Sequence, residues 1–375
     1  MFGCILRSLA VATLSAFALC AQAQDIVIGQ IGPFTGLPSP DAHEIRDGAR
    51  AYFDQVNQSG GLRGRKLSLF TLDDTFKGDV FLERFKEAMA KRPVALISPI
   101  GSAAMTKLLK EGALDAADIV IVNAIPGSEA FRNPGHPKLF HIRAGDKAQL
   151  DRILLHCKTL GIVRLHVVYQ DLPIGEAGLG VVKATAQAMG GMTIDATLSK
   201  HSDEALQAAA KAAAALTPQG VIVIGSPKFM ADAVSQLRKA GVKQAAFALS
   251  YLPTPLAVKV IGEEGARGLG ITQTFPNPNG QNMQLQRDFK VAMTKAMPDL
   301  KSYSPFHFEG YITARVLVAA LRRVEANPTP AALGKALHDM GELDLGGFRV
   351  SFAKDNIGST WTDIGVVSPN GKLMY

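Results

Sequence analysis

Cysteine is scarce in this chain: Cys4, Cys20 and Cys157 are the three among 375 residues. The first two lie in a segment read below as removable, and one remaining cysteine cannot close an internal disulfide. Stability must therefore come from apolar cores. Cys157 sits in RILLHCKTLG, on an apolar helical pattern, and reads as a buried small hydrophobe rather than a nucleophile. Beyond the first two dozen residues no apolar run reaches the ~18 residues of a membrane-spanning helix. Metal motifs are missing. There is no C-x-x-C, and His43-Glu44 is followed by Ile45, Arg46 and Asp47, not by a second zinc histidine. No metal site is expected. Catalytic motifs are missing too. The pairs Gly101-Ser102, Gly225-Ser226 and Gly358-Ser359 lack the second glycine of a hydrolase elbow. No Walker A loop occurs, and Gly175, Gly178 and Gly180 do not have dinucleotide spacing. The sequence thus predicts no cofactor and no enzyme. The formal net charge is +7, from 40 basic and 33 acidic residues. The basic residues are scattered, and pairs such as Arg65-Lys66 and Arg322-Arg323 read as solvated surface, so nucleic acid is not an expected partner.

What is present begins with an export signal. Residues 1–7 form a short n-region with Arg7, residues 9–21 are apolar (LAVATLSAFALCA), and Ala21-Gln22-Ala23 fits a small-x-small cleavage pattern. Cleavage after Ala23 and release into the periplasm are expected. Cys20 offers a lipid anchor as the alternative, which the bulky Leu19 before it disfavours.

Apolar β-type runs then alternate with amphipathic helical segments. Strands are predicted at 25–31, 66–72, 94–98 and 119–123, with helices at 41–57, 79–90 and 102–117 between them. In the first helix Ala42, Ile45, Ala49, Phe53 and Val56 recur three or four apart. The pattern repeats with helices at 147–159, 178–189, 203–216 and 228–240, and strands at 165–170, 221–225 and 244–250. Ser202 is the expected N-cap of the Ala-rich helix. Helices return at 283–297 and 306–324, and the tail from 345 reads as short strands. Strand–helix alternation of this kind makes parallel sheets covered by helices on both faces, and two such units facing one another make a cleft.

Several stretches occur in a fixed order along the chain: IGQIGPFTG (28–36), DGARAYFDQVNQSGGLRGRKL (47–67), Asp73-Asp74, PGSEAFR (126–132), FHIRAG (140–145), VVYQD (167–171), FEGYITARVLVAALRR (308–323) and LGGFRVSF (345–352). In that order the sequence resembles the solute-binding proteins of branched-chain amino acid ABC transporters, type I periplasmic binding proteins of the leucine/isoleucine/valine class. The resemblance implies an α/β fold of two Rossmann-like lobes, joined by three hinge strands, with the ligand clamped between them. Crossings are placed near 142–146, 274–278 and around Leu345. Lobe 1 would then be 24–143 with 276–345, and lobe 2 would be 144–275 with 346–375, after a signal at 1–23.

The resemblance also implies a site. Ser102, with Ala103, opens a helix whose unpaired N–H groups and positive partial charge suit a ligand carboxylate. The plain alternative for Ser102 is helix capping. The second anchor loop is Pro126-Gly127-Ser128, where proline replaces a hydroxyl-bearing residue of the family and Ser128 offers a substitute. On the second lobe Ile174 stands where relatives have an aromatic residue. Tyr251 stands where leucine-binding members have a carboxylate for the ligand ammonium. That exchange points away from a plain aliphatic amino acid, since tyrosine offers stacking or cation–π contact instead. Asp171 is a candidate for the missing charge, Ser226 a further contact, and Phe34 or Phe275 a cleft wall. The expected function is capture of an amino acid or related small carboxylate, with an inner-membrane ABC permease as partner and the receptor acting as a monomer. A ligand-sensing periplasmic subunit is the alternative. A secreted hydrolase using Ser102 or Ser226 lacks a recognisable base.

Overall fold

The apolar run IVIGQIG pairs on both edges and forms β1 (Ile26–Gly32) at the centre of a first parallel sheet. The computed structural model describes residues 24–36 and 41–375, so the expected signal segment, with Cys4 and Cys20, lies outside the described residues. From β1 the chain runs through α1 (Asp41–Gln58), β2 (Leu67–Asp73), α2 (Gly78–Ala90), β3 (Ala95–Ile97), α3 (Ser102–Lys110), α4 (Ala113–Ala116), β4 (Ile121–Val122) and β5 (Leu139–Phe140). The strands lie in the order β2-β1-β3-β4-β5, all parallel. A parallel neighbour requires a crossover, which the helices supply. The single helix expected over 102–117 is broken, because Gly112 takes a left-handed φ of 64° between α3 and α4.

A second unit follows: α5 (Asp146–Thr159), β6 (Arg164–Gln170), α6 (Pro173–Met189), β7 (Thr193–Ser199), α7 (Asp203–Ala215), β8 (Gly220–Ile224), α8 (Pro227–Lys239), β9 (Ala245–Ala248), α9 (Thr254–Ile261), α10 (Glu263–Ala266) and β10 (Gly270–Gln273). Ser202 caps α7 as expected, accepting from the Ala205 N–H. The chain then adds α11 (Gln284–Ala296), α12 (Pro305–Leu321) and α13 (Pro330–Asp339) to the first unit. The hairpin β11 (Glu342–Asp344) and β12 (Arg349–Ser351) precedes β13 (Asp363–Val367) and β14 (Leu373–Met374). The second sheet runs β14-β13-β10-β9-β8-β6-β7, with β13 and β14 antiparallel to their neighbours.

Helices α1 and α12 pack backbone to backbone. A Cβ on Gly48 would sit 1.8 Å from the His307 carbonyl oxygen, and one on Gly310 would sit 2.0 Å from that of Ile45. These two glycines accept the cost of about 1 kcal/mol each in a helix interior to let the helices meet. One core lies between the first sheet and α1, α11, α12 and α13, and another beneath α2 and α3. A third fills the second unit and continues across the cleft to Ile100, Ile125 and Phe306. Cys157 is fully buried there, and burial pushes its thiol up to about 12.

The chain passes between the units three times. It crosses after β5, after β10, and a third time before β13. The third crossing, expected around Leu345, comes later. Phe348, Val350 and Phe352 still pack in the first unit's core, where Phe140 meets Phe352 at 5.2 Å between ring centres. His141 on the first crossing donates its N–H to Asn356 and accepts from Gly358, which ties the first and third crossings together.

Candidate functional site

The C-terminal strand ends of both sheets open on a cavity of about 620 Å³. Such strand ends are where open α/β sheets bind ligands. A larger depression, about 770 Å³, lies between α5, α6 and Thr360–Thr362. It is an open groove away from the facing strand ends, so the interlobe cavity is the candidate site.

From the first lobe, Ile100, Gly101, Ser102 and Ala103 follow β3, Ile125 and Pro126 follow β4, and Phe306 opens α12. Gly101, not Ser102, is the N-cap of α3, with φ at 106°. A Cβ there would meet the Phe76 ring at 3.2 Å. Capping therefore does not consume the Ser102 hydroxyl. The first N–H groups of α3 have no partner within the helix and carry its positive partial charge.

Phe76 was not anticipated from the sequence, and it lines the cavity while 42% exposed. It sits on a strained turn, with φ of 51° at Thr75 and 61° at Phe76. Side chains hold that turn. Asp73 Oδ1 accepts from the N–H groups of Thr35 and Thr75, and Thr35 Oγ1 donates to Asp73 Oδ2 at 2.5 Å. Asp74 accepts from the Phe76 N–H at 2.8 Å, and burial pushes the Asp74 carboxyl up to about 6.

From the second lobe come Leu172, Pro173 and Ile174 at the start of α6, Ser226 and Pro227 at the start of α8, and Tyr251 after β9. Gln170 ties two of these segments together by accepting from the Ser226 N–H at 2.7 Å.

The structure thus brings Ser102, Ala103, Pro126, Ile174, Ser226 and Tyr251 to one cavity. Other expected residues fall elsewhere. The Gly127 N–H donates to the Tyr251 hydroxyl at 2.8 Å, so it is not offered to a ligand. A Cβ on Gly127 would sit 2.4 Å from Asp146 Oδ1. Ser128 caps a short 3-10 turn over Glu129–Phe131, accepting from the Ala130 N–H. Asp171 is exposed outside the lining, and its N–H donates to the Ser199 carbonyl. Phe34 packs edge-on to His43, with 5.2 Å between ring centres. Phe275 is a core residue 5.5 Å from the Phe348 ring. Local packing, not the cleft, takes the Phe34 and Phe275 rings. Like Phe76, Leu172 and Phe306 line the cavity without any sequence pattern to mark them.

Behind the cavity lies a dense polar layer. Tyr251 Oη donates to Asp146 Oδ1 at 2.5 Å, and its ring lies 5.0 Å from the Arg143 guanidinium. Arg143 Nη1 donates to Glu309 Oε2 and Nη2 to Ser250 Oγ, both at 2.5 Å. Asn123 accepts from the N–H groups of Ile142 and Arg143 and donates to Glu309 and Thr313. Gln149 Oε1 accepts from Ser250 N–H, Ser250 Oγ and Thr272 Oγ1. Burial raises the Asp146 and Glu309 carboxyls, while Tyr251 at the first and Arg143 at the second pull back down. Burial likewise raises the Tyr251 phenol far above its ordinary value, so it stays a neutral donor.

The model of the family described as periplasmic binding protein matches residues 25–372. The chain is 45% identical to the extracellular ligand-binding receptor of Verminephrobacter eiseniae ef01-2, with a TM-score of 0.90 over 94% of this chain and all of that one. It is 27% identical to a substrate-binding periplasmic protein from Ralstonia solanacearum, with a TM-score of 0.84 over 93% of this chain and 99% of that one. It is also 24% identical over 361 residues, 89% of each chain, to Leu/Ile/Val-binding protein homolog 3 of Brucella melitensis. The match in sequence over nearly the whole described length joins the two-sheet architecture and the shared cavity in one conclusion: the chain belongs to the periplasmic binding protein family.

Proposed function

We propose that this chain captures a small carboxylate-bearing solute, an amino acid or a relative of one, in the periplasm and presents the closed form to an ABC uptake transporter. The observation that carries this reading is a single cavity walled by both lobes, with three chain crossings beside it. A solute touching both walls favours the closed arrangement by its differential contacts, which is how binding becomes closure. Its carboxylate would sit at the start of α3, against the Ser102 hydroxyl and the free N–H groups. Lys110 is a further lining residue whose positive charge favours approach of an anion. The name of the Brucella relative supports the amino-acid side of this class.

A thermal-shift screen of amino acids, small carboxylates and aromatic acids tests the reading. At least one compound should raise the melting temperature in a concentration-dependent way. Scattering should report a smaller radius of gyration with that compound than without it. No stabilising compound, or one rigid profile throughout, rejects capture by closure.

A further inference from the structure

We propose that Asn370 is a site of covalent modification, where the side-chain amide is lost through a cyclic imide while Asn279 is spared. The chain has two Asn-Gly pairs, Asn279-Gly280 and Asn370-Gly371. Such pairs are where this chemistry occurs most readily, because glycine has no Cβ to hinder its amide nitrogen. The glycine nitrogen attacks the asparagine Cγ and a C–N bond forms. The Cγ–Nδ2 bond breaks, and ammonia leaves with the proton of the attacking nitrogen. Water then opens the imide at either carbonyl, giving aspartate or isoaspartate.

The two pairs share much of their setting. Both asparagines are exposed and both sit in loops. The Gly371 N–H donates to the Ser368 carbonyl at 3.0 Å and the Gly280 N–H to that of Asn277 at 3.1 Å, so neither nucleophile starts free. The side chains differ. Asn279 is pinned at both ends, with Nδ2 donating to the Tyr303 carbonyl at 2.8 Å and Oδ1 accepting from the Tyr303 N–H at 3.0 Å. Gly280 is boxed in as well, since a Cβ there would sit 2.3 Å from Gln286 Nε2. Ring closure at Asn279 must break both side-chain bonds and shift a crowded backbone. Asn370 is held less firmly. Its Oδ1 accepts from Ser368 Oγ at 2.5 Å, and among the described residues its Nδ2, the leaving nitrogen, has no hydrogen-bond partner. The Ser368 hydroxyl donates to the oxygen that gains negative charge as Gly371 attacks, which favours the step.

The position gives the change a consequence. Residues 369–371 are the turn between β13 and β14. The Ser368 N–H donates to the Lys372 carbonyl at 2.8 Å, and the Lys372 N–H donates to Ser368 Oγ at 3.0 Å. Isoaspartate adds a methylene to the main chain inside that turn and puts these bonds out of register. Beyond the turn, Leu373 packs on Gly365, where a Cβ would sit 2.8 Å from Leu373 Cγ. The Tyr375 hydroxyl donates to Gln273 Oε1 at 3.1 Å, at the end of β10 where the chain crosses between the lobes.

Peptide mapping of the chain, aged in warm, mildly alkaline buffer, tests this by counting aspartate and isoaspartate at both sites. In the folded chain Asn370 should convert at least about tenfold faster than Asn279. In urea both side chains are released, and the two rates should agree within about threefold. The isoaspartate-bearing fraction should melt about 2 °C or more below the fresh chain. Asn370→Asp, which carries the new charge without the longer main chain, should melt with the parent. Equal rates at the two sites in the folded chain overturn the proposal. A preference for Asn370 that persists undiminished in urea overturns its structural basis. An isoaspartate fraction that melts with the fresh chain overturns the consequence for β14.

Discussion

The hinge and the cleft meet at Tyr251 and are built from opposite chemistry. The Tyr251 ring faces the cavity, where Phe76, Ile100, Leu172, Ile174 and Phe306 are apolar neighbours along the walls. Its hydroxyl enters a layer in which Asn123, Arg143, Gln149, Ser250 and Glu309 bond one another through both lobes. Directional bonds fix where the lobes pivot, and they leave few alternatives. Apolar contact is non-directional, so the cleft wall can accept a solute without a fixed set of partners. Damage at the two regions should therefore separate. Hinge changes should read out in folding, and cleft changes in affinity.

The sharpest way to break the hinge is Glu309→Ala. Arg143, nearly fully buried, would lose its carboxylate partner, and removing one member of a buried pair costs about 3–5 kcal/mol. Urea unfolding should show that loss. A loss below about 1 kcal/mol would mean that water or another acceptor replaces Glu309, and that the hinge is not rigid.

A second break uses pH. His141 sits on the first crossing, fully buried, with Nε2 against the Phe131 carbonyl at 3.2 Å. Burial, then the Arg132 charge, depress its pKa to about 3 from an ordinary 6.5. The unfolded chain therefore takes up the proton first as pH falls. The stability held above pH 6.5 is lost progressively down to about pH 3. Between pH 7 and pH 5 this costs about 2 kcal/mol, at 1.4 kcal/mol per unit. Asp74 works with the opposite slope, because a carboxyl raised to about 6 favours the folded state as pH falls from 6 to 4. His141→Gln should remove the first contribution and leave the second. A variant whose unfolding free energy falls between pH 7 and pH 5 as steeply as the parent's would locate the acid sensitivity elsewhere.

Smaller still is Tyr251→Phe. It keeps the ring that walls the cavity and deletes the hydroxyl that joins Gly127 of the first lobe to Asp146. Two buried groups lose a partner, at about 1–2 kcal/mol. Because that bond spans the cleft, the unliganded radius of gyration should also rise. A stability loss with no change in scattering would make Tyr251 a packing residue and not a link between lobes.

How much of this was legible beforehand follows the same division. Residues 41–57 showed their buried face in Ala42, Ile45, Ala49, Phe53 and Val56, because helix burial repeats in sequence. β7 escaped because TIDATLS is an edge strand, mostly exposed, with no apolar run to mark it. Ser102, Ile174 and Tyr251 reached the cavity because they follow strand ends, which the alternation of strands and helices locates. Phe76 could not be seen, since its turn depends on Thr35, 38 residues distant from Asp73, and on side-chain bonds. Gly127 was misplaced for a related reason. Its N–H is taken by a hydroxyl 124 residues away, a pairing that no local pattern announces.

The smallest effect on folding should come from Leu172→Ala, and that is what makes it informative. Leu172 is 45% exposed and precedes α6 in an extended conformation that alanine also adopts. Its substitution should change unfolding free energy by less than about 0.5 kcal/mol. A solute that covers it would lose about 1.5 kcal/mol of apolar burial, which is roughly a tenfold weaker affinity. Hinge variants lose folding stability first, and Leu172→Ala should lose affinity alone. If urea unfolding shows Leu172→Ala destabilised as strongly as Tyr251→Phe, the side chain is part of a packed core. The cavity wall on the second lobe would then begin at Ile174 instead.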